Sequence, residues 1–266
     1  MNTRDQTRFL PDIQSQADRR GIGIDAVGVK DVRYPLSIRS GGQIASTVAT
    51  LTMTIGLAAA SKGTHMSRFI ELLERQGEEL DPDRFMRALR NMLERLDARS
   101  GAIEMRFPWF VKKVAPVSGV ESLLDYQVRW HGVVTPAGRN VFRMQVTVPA
   151  TSLCPCSKEI SAYGAHNQRS LISIEAELAG DMAIEDLIAI AERSASCEVY
   201  GLLKRADEKY VTERAYENPR FVEDLVREVA VALNGDARVR AYVVEAENFE
   251  SIHNHSAYAR IERHAA

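Results

Sequence analysis

Ser40-Gly-Gly-Gln-Ile-Ala-Ser-Thr-Val-Ala-Thr-Leu-Thr-Met-Thr-Ile55 sets the architecture of this chain. Ser40-Gly41-Gly42 supplies turn residues, and the pattern on both sides of it has period two. Val48, Thr50, Thr52 and Thr54 alternate with Leu51, Met53 and Ile55, which suits the two faces of a pleated strand. Strands are therefore predicted over residues 29–39 and 43–59. Upstream, residues 1–28 are polar and hold Gly21, Gly23 and Gly28. They read as an N-terminal arm with a short helix near residues 12–19.

Downstream the period changes. A polar loop over 61–68 leads into a helix over 67–75, with Phe69, Leu72 and Leu73 on one face. Asp81 is placed to cap a second helix that Pro82 opens, and Phe85, Leu89, Met92, Leu93 and Leu96 form its apolar stripe. Ser100-Gly101 ends it. Strands return over 102–116 and 123–135. The second half repeats the order: strands over 140–149 and 169–179 bracket a loop at 151–168. A helix over 184–194 turns Leu187, Ile188, Ile190 and Ala191 inward. Another begins at Asn218-Pro219 and stops at Asn234-Gly235. Strands over 237–245 and 256–263 close the chain. The expectation is an α+β fold of two tandem antiparallel-sheet modules, 29–138 and 139–266, with helices on one face. Such sheets leave edge strands that must be covered or paired, so a homo-oligomer is expected.

The 266 residues are enough for a large core. Hydrophobic residues make up 45% and charged residues 26%, with a net charge of −2, so no global field draws in nucleic acid. No apolar run reaches the roughly 18–20 residues that cross a bilayer, and residues 1–8 lack the apolar centre of a signal peptide. Cys154, Cys156 and Cys197 are too few for a disulfide framework. A reducing cytoplasm with free thiols is expected, with neither membrane nor nucleic acid as partner.

Residues 151–170 concentrate the reactive chemistry: Cys154, Cys156, Lys158, Glu159, His166 and Arg169. Cys154 and His166, twelve apart, offer a thiolate and an imidazole to a first-row divalent metal. In an extended segment Cys154 and Cys156 point opposite ways, so both binding one ion requires a turn. A closed structural zinc site needs four ligands from paired motifs, and only Cys197 remains, so an open catalytic site suits the chain better. His253 and His255 flank Asn254; read alone they are a polar turn or acid–base groups. His131 reads as a strand histidine and His264 as solvated. Glu208 and Glu213 read first as part of a solvated segment, and Glu223 as a first-turn helix carboxylate that favours the dipole.

Cys154-Pro-Cys-Ser-Lys-Glu-Ile-Ser followed by Tyr163-Gly-Ala-His166-Asn-Gln-Arg-Ser resembles the type IB GTP cyclohydrolase I family. Gly63-Thr-His-Met-Ser-Arg-Phe69, Asp207-Glu-Lys-Tyr-Val-Thr-Glu213, Asn218-Pro-Arg-Phe-Val-Glu223-Asp and Glu250-Ser-Ile-His253-Asn-His255 follow the family's pattern in the same order. The resemblance spans about residues 25–264.

It implies a tunnelling fold: tandem modules that assemble into a homotetrameric barrel with active sites between subunits. The implied reaction converts GTP and water to 7,8-dihydroneopterin triphosphate and formate, the entry to tetrahydrofolate and, in bacteria, to queuosine-type deazapurines. Cys154, His166 and Glu208 are implied metal ligands, with His253 at or beside the ion. A divalent zinc, manganese or iron, with no organic cofactor, would activate water for attack on C8 of the guanine. The proton needed at N7 falls to Cys156, His253 or His255. Glu223 is the implied purine anchor, its carboxylate accepting from N1–H and the exocyclic amine together. Lys62, His65, Arg68, Lys158 and Arg169 are the candidate triphosphate cations. Two other readings carry different chemistry: a deazapurine nitrile reductase of the same fold, using a cysteine thioimide and NADPH, and a non-catalytic nucleotide-binding oligomer with a structural metal.

Overall fold

The structure is a computed structural model that describes residues 14, 16–74 and 79–265. The first half runs β1 (Ile24–Ser40), β2 (Gln43–Leu57), α1 (Ser67–Glu74), α2 (Pro82–Arg95), β3 (Gly101–Val114) and β4 (Glu121–Val134). The second runs β5 (Asn140–Leu153), α3 (Pro155–Ile160), β6 (Asn167–Leu178), α4 (Ile184–Ser194), β7 (Cys197–Glu198), α5 (Arg205–Glu217) and α6 (Val222–Asn234). It closes with β8 (Val239–Asn248) and β9 (Ala257–Arg263). Among the described residues the strands form one antiparallel sheet, ordered β1-β2-β3-β4-β5-β6-β8-β9, with β7 paired to β5. The sheet passes between the halves without a break, because β4 pairs with β5 from Gln127↔Thr147 to Val134↔Asn140.

The period-two reading holds because one face is buried and the other polar. Ile103, Met105, Phe107 and Trp109 of β3 and Tyr126, Val128 and Trp130 of β4 are buried. Trp130 is met edge-on by Phe85, Phe107 and Phe142 at 5.5–5.8 Å between ring centres, which seats α2 on the sheet. Asp81 caps α2 by accepting from the Arg84 amide, as predicted. Below the second half, α4 buries Leu187, Ile188, Ile190 and Ala191, and α6 buries Leu225, Val226, Val229 and Leu233. Glu185 of α4 fastens the halves together, accepting from Trp109 Nε1 at 2.9 Å and Ser40 Oγ at 2.8 Å. The opposite face carries a charged ladder of Arg106, Glu104, Arg129, Glu175, Arg143, Glu177 and Arg139, each carboxylate pairing with two guanidiniums.

Three local expectations change. β1 starts at Ile24, five residues before the predicted strand, so the end of the expected arm is already in the sheet. The helix expected near residues 12–19 does not form over the described part of that stretch: residues 14 and 16–19 are turn, bend and irregular backbone, and Ala17 bridges to Ser61, while 12, 13 and 15 lie outside the described residues. The segment around Glu208, read as solvated with no element assigned, is exposed at Glu208 but forms the helix α5, and residues 155–160 inside the expected loop form α3.

Candidate active site

The loop over 154–166 is short in space because the strands it joins stay paired to their ends. Leu153 faces Asn167 in register, and the Cys154 amide donates to the His166 carbonyl at 3.2 Å. Cys154 and His166 are thus brought side by side along the backbone. Cys154 caps α3, and its sulfur accepts from the Ser157 amide at 3.5 Å. Ser157 Oγ in turn donates to the Cys154 carbonyl and accepts from the His166 amide. Cys154 and His166 are half-buried, whereas Cys156 faces solvent. The turn at α3 is why the two thiols differ in environment although only Pro155 separates them.

Two more segments converge on this strand end. The Phe249 amide donates to the Arg169 carbonyl, which brings the loop after β8 beside the start of β6. Ser251 Oγ then lies 3.3 Å from His166 Nδ1, and Glu250 Oε1 accepts from Gln168 Nε2 at 3.4 Å. Glu250 Oε2 lies 3.4 Å from His253 Nδ1, and His253 stacks on His255 at 5.2 Å. On the other side, the Leu153 amide donates to Ser196 Oγ and the Arg220 amide to the Leu153 carbonyl. Asn218 Nδ2 donates to the Ala195 and Ser196 carbonyls. These contacts dock the segment that leads into α6 against Leu153, next to Cys154 in the chain, and Glu223 is exposed in the first turn of that helix.

α5 packs on β5 and β7 and carries Glu208, exposed in its first turn. The preceding residue anchors it. Asp207 is sealed from solvent and accepts from the Val117 and Ser118 amides, Ser118 Oγ and the Lys204 amide at 2.6–2.8 Å. Burial alone would raise its pKa; the hydrogen bonds led by Ser118 outweigh that and hold it far below the usual carboxylate range.

The proposed phosphate cations are more scattered. Lys62 Nζ donates to Gln16 at 2.9 Å, and Arg68, in the first turn of α1, reaches the Arg95 carbonyl at 3.4 Å. His65 sits half-buried in the loop between them. Lys158 Nζ donates to the Tyr216 carbonyl at 2.5 Å and lies over the Tyr216 ring, bracing α3 against α5. Arg169 is exposed at the start of β6. Among the described residues, no three His, Cys, Asp or Glu side chains gather closely enough within one chain to hold an ion. Cys154 and His166 meet; Glu208 and His253 stand on flanking segments.

A sequence profile described as type I GTP cyclohydrolase FolE2 matches residues 10–259. The chain belongs to the type I GTP cyclohydrolase FolE2 family. Relatives called GTP cyclohydrolase FolE2 from Paraburkholderia xenovorans and Burkholderia mallei are each 60% identical over 264 residues, covering 99% of this chain and 98% of theirs. Among solved structures, uricase from Arthrobacter globiformis matches with a TM-score of 0.51 at 9% identity, covering 90% of this chain and 92% of that one. Urate oxidase from Bacillus sp. TB-90 also matches at 0.51, with 9% identity and coverage of 90% and 99%. These two show the fold: α+β, with a large antiparallel sheet and helices on one face.

Within the FolE2 family chain, sequence reasoning missed Gln168, Glu250 and Asp207 as parts of this neighbourhood. Gln168 had a usable signal. It falls on the core-facing row of β6 with Ile172 and Ile174, where an amide needs a partner. His131, on β4 beside the charged ladder, is outside the cluster, and burial pushes its pKa down. No helix among the described residues is long and apolar enough to cross a membrane.

Proposed function

We propose that the chain is a metal-dependent GTP cyclohydrolase I. It opens the imidazole ring of GTP hydrolytically to give 7,8-dihydroneopterin triphosphate and formate, the first step of tetrahydrofolate biosynthesis. The observation that carries this reading is the meeting of Cys154 and His166 beside Glu250 and His253 in a chain 60% identical to FolE2 relatives.

The donor set fits a divalent ion. The Cys154 sulfur is fixed at the cap of α3 by the Ser157 amide and offers a soft donor. His166 has its Nδ1 engaged by Gln168, which leaves the other ring nitrogen for coordination. Glu208 and His253 are the proposed further ligands. One thiolate with a carboxylate is a harder set than two thiolates and admits manganese or iron as well as zinc. When bound, the ion supplies Lewis acidity that brings the pKa of water toward neutrality.

The chain's own groups do the rest. Glu223 accepts from guanine N1–H and the exocyclic amine, a pairing adenine cannot make. Cys156, His253 and His255 all face solvent and are the groups available to move the proton at N7. Lys62, His65, Arg68 and Arg169 offer charge and donors to the triphosphate; Lys158 must leave Tyr216 to join them. The two sheet edges, β1 and β9, support assembly of copies into a tunnelling-fold barrel, a homotetramer with pockets between subunits. The tandem modules, 29–138 and 139–266, are proposed as its repeating units.

Incubating metal-stripped protein with GTP and Mn²⁺, Zn²⁺ or Fe²⁺ tests the reading. Pterin absorbance and formate should appear only with metal, and Cys154→Ala should lose both turnover and bound metal. Absence of turnover with every ion would overturn the proposal. NADPH consumption with a deazapurine nitrile would instead point to the reductase.

A further inference from the structure

We infer that Gln168, held in place by Glu250, is a positioning residue that fixes the tautomer of His166 and so makes it a ligand. The functional half rests on the proposed reading of His166 as a metal ligand; the tautomer does not.

The argument starts at Glu250. A carboxylate has no proton to give and only accepts hydrogen bonds. Its Oε1 lies 3.4 Å from the Gln168 amide nitrogen. Turned the other way, the Gln168 amide would set two oxygens face to face. The amide oxygen is therefore the atom toward His166, 2.9 Å from Nδ1. An oxygen accepts, so Nδ1 carries the ring proton, and in the neutral imidazole Nε2 is left with a lone pair. Ser251 Oγ, at 3.3 Å from the same nitrogen, is a hydroxyl that can accept as a second, longer partner. The neutral ring in free histidine prefers the opposite tautomer, with the proton on Nε2. The protein thus works against the intrinsic preference, and Gln168 is the group that does so.

Gln168 is suited to this. It is 8% exposed and sits opposite Ser152 in the β5–β6 register, so its backbone is fixed by the ladder. The core-facing row beside it is polar: Ser152 Oγ meets Ser170 Oγ at 2.7 Å, and Ser170 donates to Asn248 Oδ1 at 2.7 Å. Glu250 uses its second oxygen on His253 Nδ1. One carboxylate therefore orients both imidazoles of the site, one directly and one through an amide.

Nitrogen-15 histidine NMR of the metal-free protein, at a pH where the rings are neutral, reads the tautomer directly. Wild type should show His166 protonated at Nδ1. Gln168→Leu, close in volume, should shift it toward the Nε2–H form and weaken Zn²⁺ or Mn²⁺ binding, measured by chelator competition, by about 10–100-fold. The swapped pair Gln168→Glu with Glu250→Gln keeps an acceptor facing Nδ1 and a donor facing residue 168. It should restore both the tautomer and the affinity, an outcome that a merely structural role for Gln168 does not give. Finding Nε2–H in the metal-free wild type would overturn the inference. So would a Gln168→Leu chain with unchanged tautomer and affinity, or a swapped pair no better than Gln168→Leu. Should Gln168→Leu fail to fold, the wild-type spectrum and the swapped pair still decide. A His166→Ala chain that keeps full metal affinity would sink the ligand reading and leave the tautomer result standing.

Discussion

Cys197 lies in the two-residue strand β7, 1% exposed. Burial first, and the neighbouring Glu198 charge second, push its thiol from 9.0 up to about 11. It is therefore a poor nucleophile near neutral pH and a poor candidate for thioimide chemistry. Because the folded chain holds this proton more tightly than the unfolded one, the stability it confers is full below pH about 9. It is lost as pH rises through about 11, an effect of order 2–3 kcal/mol. Denaturant midpoints measured from pH 8 to 11 should fall more steeply for wild type than for Cys197→Ala. Tyr126, also pushed upward by burial beside Glu192, is common to both chains, and Tyr200, pushed upward by burial and Glu198 first, also feels the Cys197 charge, so its small change belongs to the same difference. At this scale the sequence was legible where residues are close along the chain, as with Cys154 and His166. It was opaque where a partner arrives from another strand end. Glu250 reaches Gln168 across 82 positions, and no local pattern announces the pairing.

α5 escaped a pattern-based reading for a physical reason: of its thirteen residues only Asp207 and Ala215 are buried, so it has no apolar stripe. The helix is held instead by the hydrogen bonds at Asp207. α2, α4 and α6, each with a continuous buried stripe, were legible, and α4 was placed to the residue. Strand interiors were also legible, whereas β1 was cut short at Gly28. That glycine marks a close approach between strands. A Cβ there would stand 1.9 Å from the Met53 carbonyl oxygen and 2.9 Å from Thr54 Cα, and β1 shifts register on both sides of it. Gly28→Ala requires the backbones to part, and chemical unfolding should show a loss of about 1–3 kcal/mol. The cleared space offers nothing in return, so no compensating gain is expected.

Among the described residues the sheet ends on two unpaired rows: the seventeen-residue β1 and the seven-residue β9. Among the described residues Leu80 covers β1 near Ser37 and Arg39, through bonds to their backbone groups. Exposed edges of this length favour pairing with a second chain. Sedimentation or native mass spectrometry should find four copies per particle, and a monomer at micromolar concentration would remove the barrel from the proposal. The alternation that predicted a sheet with one buried face was plain in the sequence; how the edges of separate copies would meet is a relation between chains, and nothing along one chain encodes it visibly. The polar end of the core-facing row of β6 has one further consequence. A slip of one residue against β5 would throw Gln168 and Ser170 to the far side and drag Ile172 and Ile174 after them. The proposed ligand pair and the apolar core are thus read off a single ruler. A chain folded out of frame is silent as an enzyme, and turnover itself serves as proof-reading of the strand alignment.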